Sequence, residues 1–103
     1  MDRLVLDRVS CEIQIEGKLV KLTRKEFAIL WALGSSPGKV FHREELLALI
    51  WGPHIVVELR TVDAYIARLR RILQRLDHST PSIETVWGIG YRLTDSSPFP
   101  KRS

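Results

Sequence analysis

The chain has a single cysteine, Cys11, among 103 residues. One thiol can form neither an intramolecular disulfide nor a multi-cysteine metal site, which fits a reducing compartment and makes the cytoplasm the expected location. Long apolar runs are missing as well. The longest, "FAILWAL" at 27–33, falls far short of the roughly 20 residues a membrane span needs, and acids stand near the N-terminus where a signal peptide would be basic and then apolar. The sequence reads as soluble and untargeted, with no membrane partner. Catalytic apparatus is equally scarce. His42, His54 and His78 have no metal-ligand spacing, and no nucleophile has a base beside it in a motif. Glu44 and Glu45 are explained by helix polarity, and "GIG" at 88–90 lacks the third glycine of a dinucleotide fingerprint. No enzyme activity, metal or cofactor is expected. Repeats, low-complexity blocks and a second domain are absent too.

What is present is a compact, basic composition. Hydrophobic residues make up 45%, enough for one domain with a real core, and 16 Lys and Arg against 12 Asp and Glu leave a net charge of +4. That balance makes a nucleic-acid partner worth considering without proving one.

In "VSCEIQIE" at 9–16, Val9, Cys11, Ile13 and Ile15 alternate with polar residues, the pattern of a strand with one wet face, so Cys11 reads as core. "RLVLD" before it and "KLVKL" after the Gly17 turn complete an N-terminal antiparallel sheet. At Thr23 the period changes: "TRKE" has the form of a capping box opening a helix to about Leu33, with Phe27, Leu30, Trp31 and Leu33 inward and Gly34 as the stop. "REELLALIW" makes a second helix, with Leu46, Leu49 and Ile50 pointing one way and Gly52-Pro53 ending it. The loop "GPHIVVEL" is either a packed crossover or a partner-binding surface, and packing is the preferred reading. "SIETV", a glycine turn at "WGIG" and "YRL" form a C-terminal hairpin, and "TDSSPFPKRS" has the composition of a frayed tail.

The third helix is the informative one. In "RTVDAYIARLRRILQRL", residues 60–76, Val62, Ile66, Leu69, Leu73 and Leu76 recur at spacings of four and three and form the core stripe. The opposite side carries Arg60, Asp63, Ala64, Ala67, Arg68, Arg71 and Arg75, with Arg70 at its margin. A merely solvated face would be expected to hold acids for i,i+4 pairing. Here Arg68, Arg70, Arg71 and Arg75 have no acid three or four residues before them, so their repulsion is left for a polyanion to relieve. The guanidinium fork suits phosphate and the O6/N7 edge of guanine, and the two alanines leave room for close approach. A sheet, three helices and a hairpin with a glycine turn describe an α+β winged helix-turn-helix, with one helix in the major groove and the hairpin as the wing.

"LTRKEFAIL", "REELLALIW", "RTVDAYIARLRRIL" and "ETVWGIGYRL" resemble, in order and spacing over about residues 4–94, the DNA-binding effector domain of OmpR/PhoB-type response regulators. The resemblance implies a sequence-specific regulator of transcription that binds double-stranded DNA at tandem direct repeats, usually as a homodimer, with a phosphorylated receiver domain ahead of it. It divides the chain into an effector domain at 1–94 and a flexible tail at 95–103.

It also implies a recognition helix in which Thr61, Asp63, Ala64, Ala67, Arg68 and Arg71 are candidates for the major groove, with Arg60 and Arg70 on phosphates. For Asp63 two readings stand: acceptance from cytosine N4, or an acid favoured by the helix dipole. Trp51 is a phosphate-side candidate or a core residue, and Thr85 a phosphate donor or a simple strand former. Trp87 and Gly88 form the wing tip, where many relatives carry arginine; the indole either packs on sugar and backbone or folds back on the domain. His42 stands where a Ser or Thr cap is common, so it is a weaker cap and is expected to face solvent. The loop residues His54, Ile55, Val56 and Val57 are candidates for an RNA polymerase contact, which is also the rival reading of the whole domain as a protein-interaction module. RNA binding is disfavoured because the sheet offers no aromatic stacking platform.

Overall fold

The computed structural model describes residues 5–15, 17–54, 56–76, 82–94 and 101–102. Three strands open it: β1 (Val5–Asp7), β2 (Glu12–Ile15) and β3 (Lys18–Lys21). β2 lies between the other two, antiparallel to both, with Ile13 opposite Leu6 and Val20. The alternating pattern fails at Val9, which is 81% exposed and outside the strand. The cause is Asp7, whose Oδ1 accepts from the N–H groups of Val9 (3.0 Å) and Ser10 (3.4 Å), a local turn that competes with the ladder. Cys11 follows at φ +58 and packs against the core as a half-buried residue.

Helix α1 (Arg24–Ser35) begins as its sequence dictates. Thr23 Oγ1 accepts from Glu26 N–H at 3.2 Å while Glu26 Oε1 accepts from Thr23 N–H at 2.8 Å, so two orphan donors are satisfied reciprocally. The helix runs past the expected stop, and Gly34 is buried inside its last turn. After β4 (Phe41–His42), helix α2 (Arg43–Trp51) starts at an exposed His42, whose N–H donates to Glu45 Oε1 at 3.3 Å. Leu46 is fully buried, but Leu49 points outward at 60% exposed, against the expectation that it shares the buried face. The inward arc includes Leu47, Ile50 and Trp51, and at roughly 100° per residue Leu49 lies well outside it.

Helix α3 (Leu59–Leu76) is the longest element. Val62, Ile66, Leu69 and Leu73 are all buried in the stripe read from sequence, where α1 and α2 meet them; the side chain of Leu76 lies outside the described residues. The wing strands β5 (Ile83–Val86) and β6 (Gly90–Leu93) pair antiparallel, and β4 adds itself to β6. That third strand had no clear signal in two residues of sequence. Lys101–Arg102 form β7, parallel to β1. The edge of β1 offers unpaired backbone groups to this segment; the remainder of the expected tail, residues 95–100 and 103, lies outside the described residues.

Candidate nucleic-acid interface

Viewed by angle, α3 divides its non-core surface into three strips. Ala64, Ala67 and Arg71 are exposed in the middle, joined by the exposed Arg60 and Arg75. Roughly 80–100° to one side lie Asp63 and Arg70, and roughly 60–120° to the other lie Arg68 and Tyr65. Each lateral strip is engaged by a neighbouring element.

Asp63 is the hub of the first strip. Arg43, at the start of α2, donates through Nε to Oδ1 (3.1 Å) and through Nη2 to Oδ2 (2.8 Å), and the Tyr91 hydroxyl donates to Oδ1 at 2.5 Å. Three strong donors occupy most of a carboxylate's acceptor capacity. The geometry therefore favours neither sequence reading of Asp63: it is a tie between α3, α2 and the wing strand β6. Burial, then the hydrogen bond to Asp63, push the Tyr91 hydroxyl up to about 12. Arg70, a phosphate candidate by sequence, is engaged by the wing. Its Nε donates to the Ile83 carbonyl at 2.8 Å and its Nη2 to Thr85 Oγ1, with the guanidinium 5.6 Å from the Tyr91 ring centre. Sequence placed Arg70 at the face's margin, and at the margin the wing captures it. Thr85 accepts from Arg70, which leaves its own hydroxyl hydrogen free for an outside acceptor.

On the other strip Arg68 donates to Glu26 Oε2 at 3.1 Å. The Glu26 side chain is only 6% exposed, against 50% for Arg68. Burial acts to raise the Glu26 pKa, but hydrogen bonds from Thr23 and Arg68 outweigh it and hold the carboxyl below its usual value. The expectation that Arg68, Arg70, Arg71 and Arg75 lack acids thus needs correction for Arg68, which is neutralised by an acid 42 residues upstream. Arg60, on the same side of α3, pairs with Glu58 just before the helix, and Asp63 pairs with Arg43 across the helix pair. A search for acids at helical spacing cannot find tertiary partners. Arg71 and Arg75 have no ion pair among the described residues.

Trp51 is half-buried, edge-on to Tyr65 with ring centres 5.2 Å apart, so it packs at the core margin and also borders this strip. Thr61 is half-buried near the start of α3. Trp87 stands clear of the domain at 89% exposed, which settles its orientation against folding back. It occupies the second position of a turn closed by Ile89 N–H to Val86 C=O (2.9 Å), and Gly88 supplies the positive φ of +79 that the third position requires. Between this tip and the start of α2 lies an open cleft of about 330 Å³, bordered by His42, Arg43, Asp63 and the wing.

In the loop before α3, Val56 is fully exposed and His54 exposed, whereas Val57 is half-buried; Ile55 lies outside the described residues. The packed reading of this loop therefore fails at Val56. Among the described residues no group of three or more His, Cys, Asp or Glu is placed to hold a metal, and no helix is long and apolar enough to cross a membrane.

The chain is similar to several known proteins. The chain is 42% identical over 92 residues to the heme response regulator HssR of Staphylococcus saprophyticus, covering 89% of this chain and 41% of the relative. It is 42% identical over 89 residues to the transcriptional regulatory protein BaeR of Escherichia coli, covering 86% and 37%. The chain thus spans about two fifths of the length of these relatives. Among solved structures, the DNA-binding domain of CpxR from E. coli superposes with a TM-score of 0.77 at 30% identity, covering 94% of this chain and 95% of that one. The DNA-binding domain of the response regulator AdeR, solved in complex with an intercistronic region, gives 0.78 at 28% identity, covering 92% and 97%. Three helices, two antiparallel sheets and a hairpin wing are the winged-helix architecture of these domains. With residues 17–93 matching the family described as "Transcriptional regulatory protein, C terminal", the chain belongs to that family, the effector domains of response regulators rather than enzymes.

Proposed function

We propose that this domain binds double-stranded DNA sequence-specifically, with α3 in the major groove and the wing at 83–93 against the minor groove or backbone. The observation that carries the reading is the middle strip of α3. Two small alanines are flanked by Arg60, Arg71 and Arg75; no acid lies on the strip itself, Glu58 just before the helix pairs with Arg60 alone, Asp63 is neutralised by Arg43, and Arg71 and Arg75 have no ion pair among the described residues. Such a surface costs repulsion in the free protein and is relieved by phosphates and guanine edges. Arg68 and Arg71 are the base-reading candidates, beside Thr61, Ala64 and Ala67. Arg60, Trp51 and Thr85 border phosphates, and Trp87 with Gly88 meets the backbone as an uncharged wing tip. Asp63 and Arg70 act by positioning.

Binding to a duplex selected from random sequence tests this. Arg68→Ala should cost about 1–3 kcal/mol and relax preference at one base position, while Arg60→Ala should weaken all sequences alike and reduce the salt slope by about 0.9. A chain that selects no sequence, or variants that both bind like wild type, would overturn the assignment. The intact regulator is read as a cytoplasmic homodimer on tandem direct repeats with a receiver domain ahead of this one.

A second contact is favoured by one specific observation: Val56, in the loop before α3, and Leu49 of α2 are both exposed. Large apolar side chains in water suit a protein partner such as RNA polymerase. Val56→Asp should leave DNA affinity unchanged and lower transcription from a responsive promoter; unchanged transcription excludes the contact.

A further inference from the structure

We propose that Lys25 is a phosphate-binding residue of this domain, seated by Trp51 on the flank of α3 opposite the wing and acting beside Arg68. The proposal rests on the DNA-binding reading above and extends the interface onto α1.

Four side chains from three helices form a continuous array on that flank. The Lys25 Nζ lies 5.8 Å from the centre of the Trp51 ring, Trp51 meets Tyr65 edge-on at 5.2 Å and 70°, and the Arg68 guanidinium lies 5.2 Å from the Tyr65 centre. The array closes on itself, because Arg68 also donates to Glu26, the next residue after Lys25. Lys25 is thus tied to the recognition helix by two routes, one through aromatic rings and one through the chain.

Among the described residues no acid accounts for a cation at this place. Lys25 is exposed and has no ion pair among the described residues. It sits in the first turn of α1, where a positive charge opposes the helix dipole instead of complementing it. The one acid of that turn, Glu26, is committed to Thr23 and Arg68. A ring beneath the ammonium restrains it by cation–π attraction, while its three N–H donors remain able to reach an outside acceptor. With α3 in the major groove, the phosphates on either side of the groove face the two lateral strips of the helix. The wing occupies one side. Lys25 and Arg68 present two cations on the other, with Glu26 offsetting only one.

Purified 103-residue chain and a short duplex selected on it from random sequence provide the test, with affinity measured across a salt series. Lys25→Gln should weaken the selected duplex and a scrambled one by the same factor, about eightfold near 0.1 M salt, and flatten the slope of log K against log salt by about 0.9. Lys25→Arg should restore both. Lys21→Gln, which removes an equal exposed charge from β3, should leave the slope unchanged. An unaltered slope in Lys25→Gln overturns the proposal, as does an equal effect of Lys21→Gln, which would mean a diffuse contribution of net charge. If the wild-type chain binds but only Lys25→Gln is silent, this inference alone falls. If neither the wild-type chain nor any arginine variant shows salt-dependent binding, the DNA-binding reading falls first and takes the inference with it.

Discussion

Glu26 carries three connections at once: its backbone N–H is capped by Thr23, its Oε1 caps Thr23 in return, and its Oε2 holds Arg68. Because its folded pKa is depressed, its contribution to stability is present above the unfolded value near 4.5 and is lost as pH falls through the lower folded value. Glu26→Gln keeps an acceptor for the Thr23 N–H but gives up the charge beside Arg68. At neutral pH the variant should be less stable by about 1–2 kcal/mol, discounted because half of Arg68 remains in water. Below about pH 4 the gap to wild type should narrow, since the wild-type carboxylate is then being protonated as well. Denaturant melts across that range check the sign, and a constant gap at all pH values would refute the assignment. Freed from its tether, Arg68 should also gain affinity for DNA, which separates this variant from one that merely unfolds the domain.

At the level of elements, the wing depends on two glycines for different reasons. Gly90 has no room for a side chain: a Cβ there would stand 1.9 Å from the Phe41 carbonyl oxygen, on the strand β4 that pairs with β6. Gly88 has open space around it but holds φ +79 at the turn. Gly90→Ala should therefore force β4 away from β6 and cost about 1–3 kcal/mol or more, whereas Gly88→Ala should cost about 1–2 kcal/mol through backbone strain alone. Amide exchange should separate them, with protection at the paired residues Phe41 and Tyr91 lost in the first and largely kept in the second; equal loss in both would deny the close approach. These elements also show where sequence was sufficient. The capping box at Thr23, the buried stripe from Val62 to Leu73 and the glycine turn of the wing are local patterns with local causes, and all are present. Strand β4, the outward turn of Leu49 and the pairing of β7 with β1 are set by neighbours far away in the chain, which periodicity does not encode. The candidate site divides in the same way. The arginine strip of α3 was legible, but the acids that neutralise parts of it are Glu26 on α1 and Glu58 just before α3, and Arg43, Tyr91 and Lys25 entered only with the structure.

At the scale of the whole molecule, the proposed binding of DNA by both α3 and the wing costs less when their spacing is fixed before binding. Here the spacing is set by side chains rather than by a shared strand. Asp63 joins Arg43 of α2 to Tyr91 of β6, and Arg70 reaches from α3 to Ile83 and Thr85 of β5, so both wing strands are fastened to the recognition helix. Removing the Asp63 charge loosens one of the two fastenings while leaving the wing tip itself intact. If Trp87 contributes to binding only from the position this network imposes, the effects of Asp63→Asn and Trp87→Ala on DNA affinity should not add. Alone, Trp87→Ala should weaken binding about tenfold, or about 1.4 kcal/mol, with an unchanged salt slope, since an indole releases no counterions. In the Asp63→Asn background the same substitution should cost much less, giving a coupling energy of about 0.5–1.4 kcal/mol. Additive effects would mean that the wing finds its place on DNA without help from Asp63, and that the Arg70 fastening to β5 is sufficient by itself.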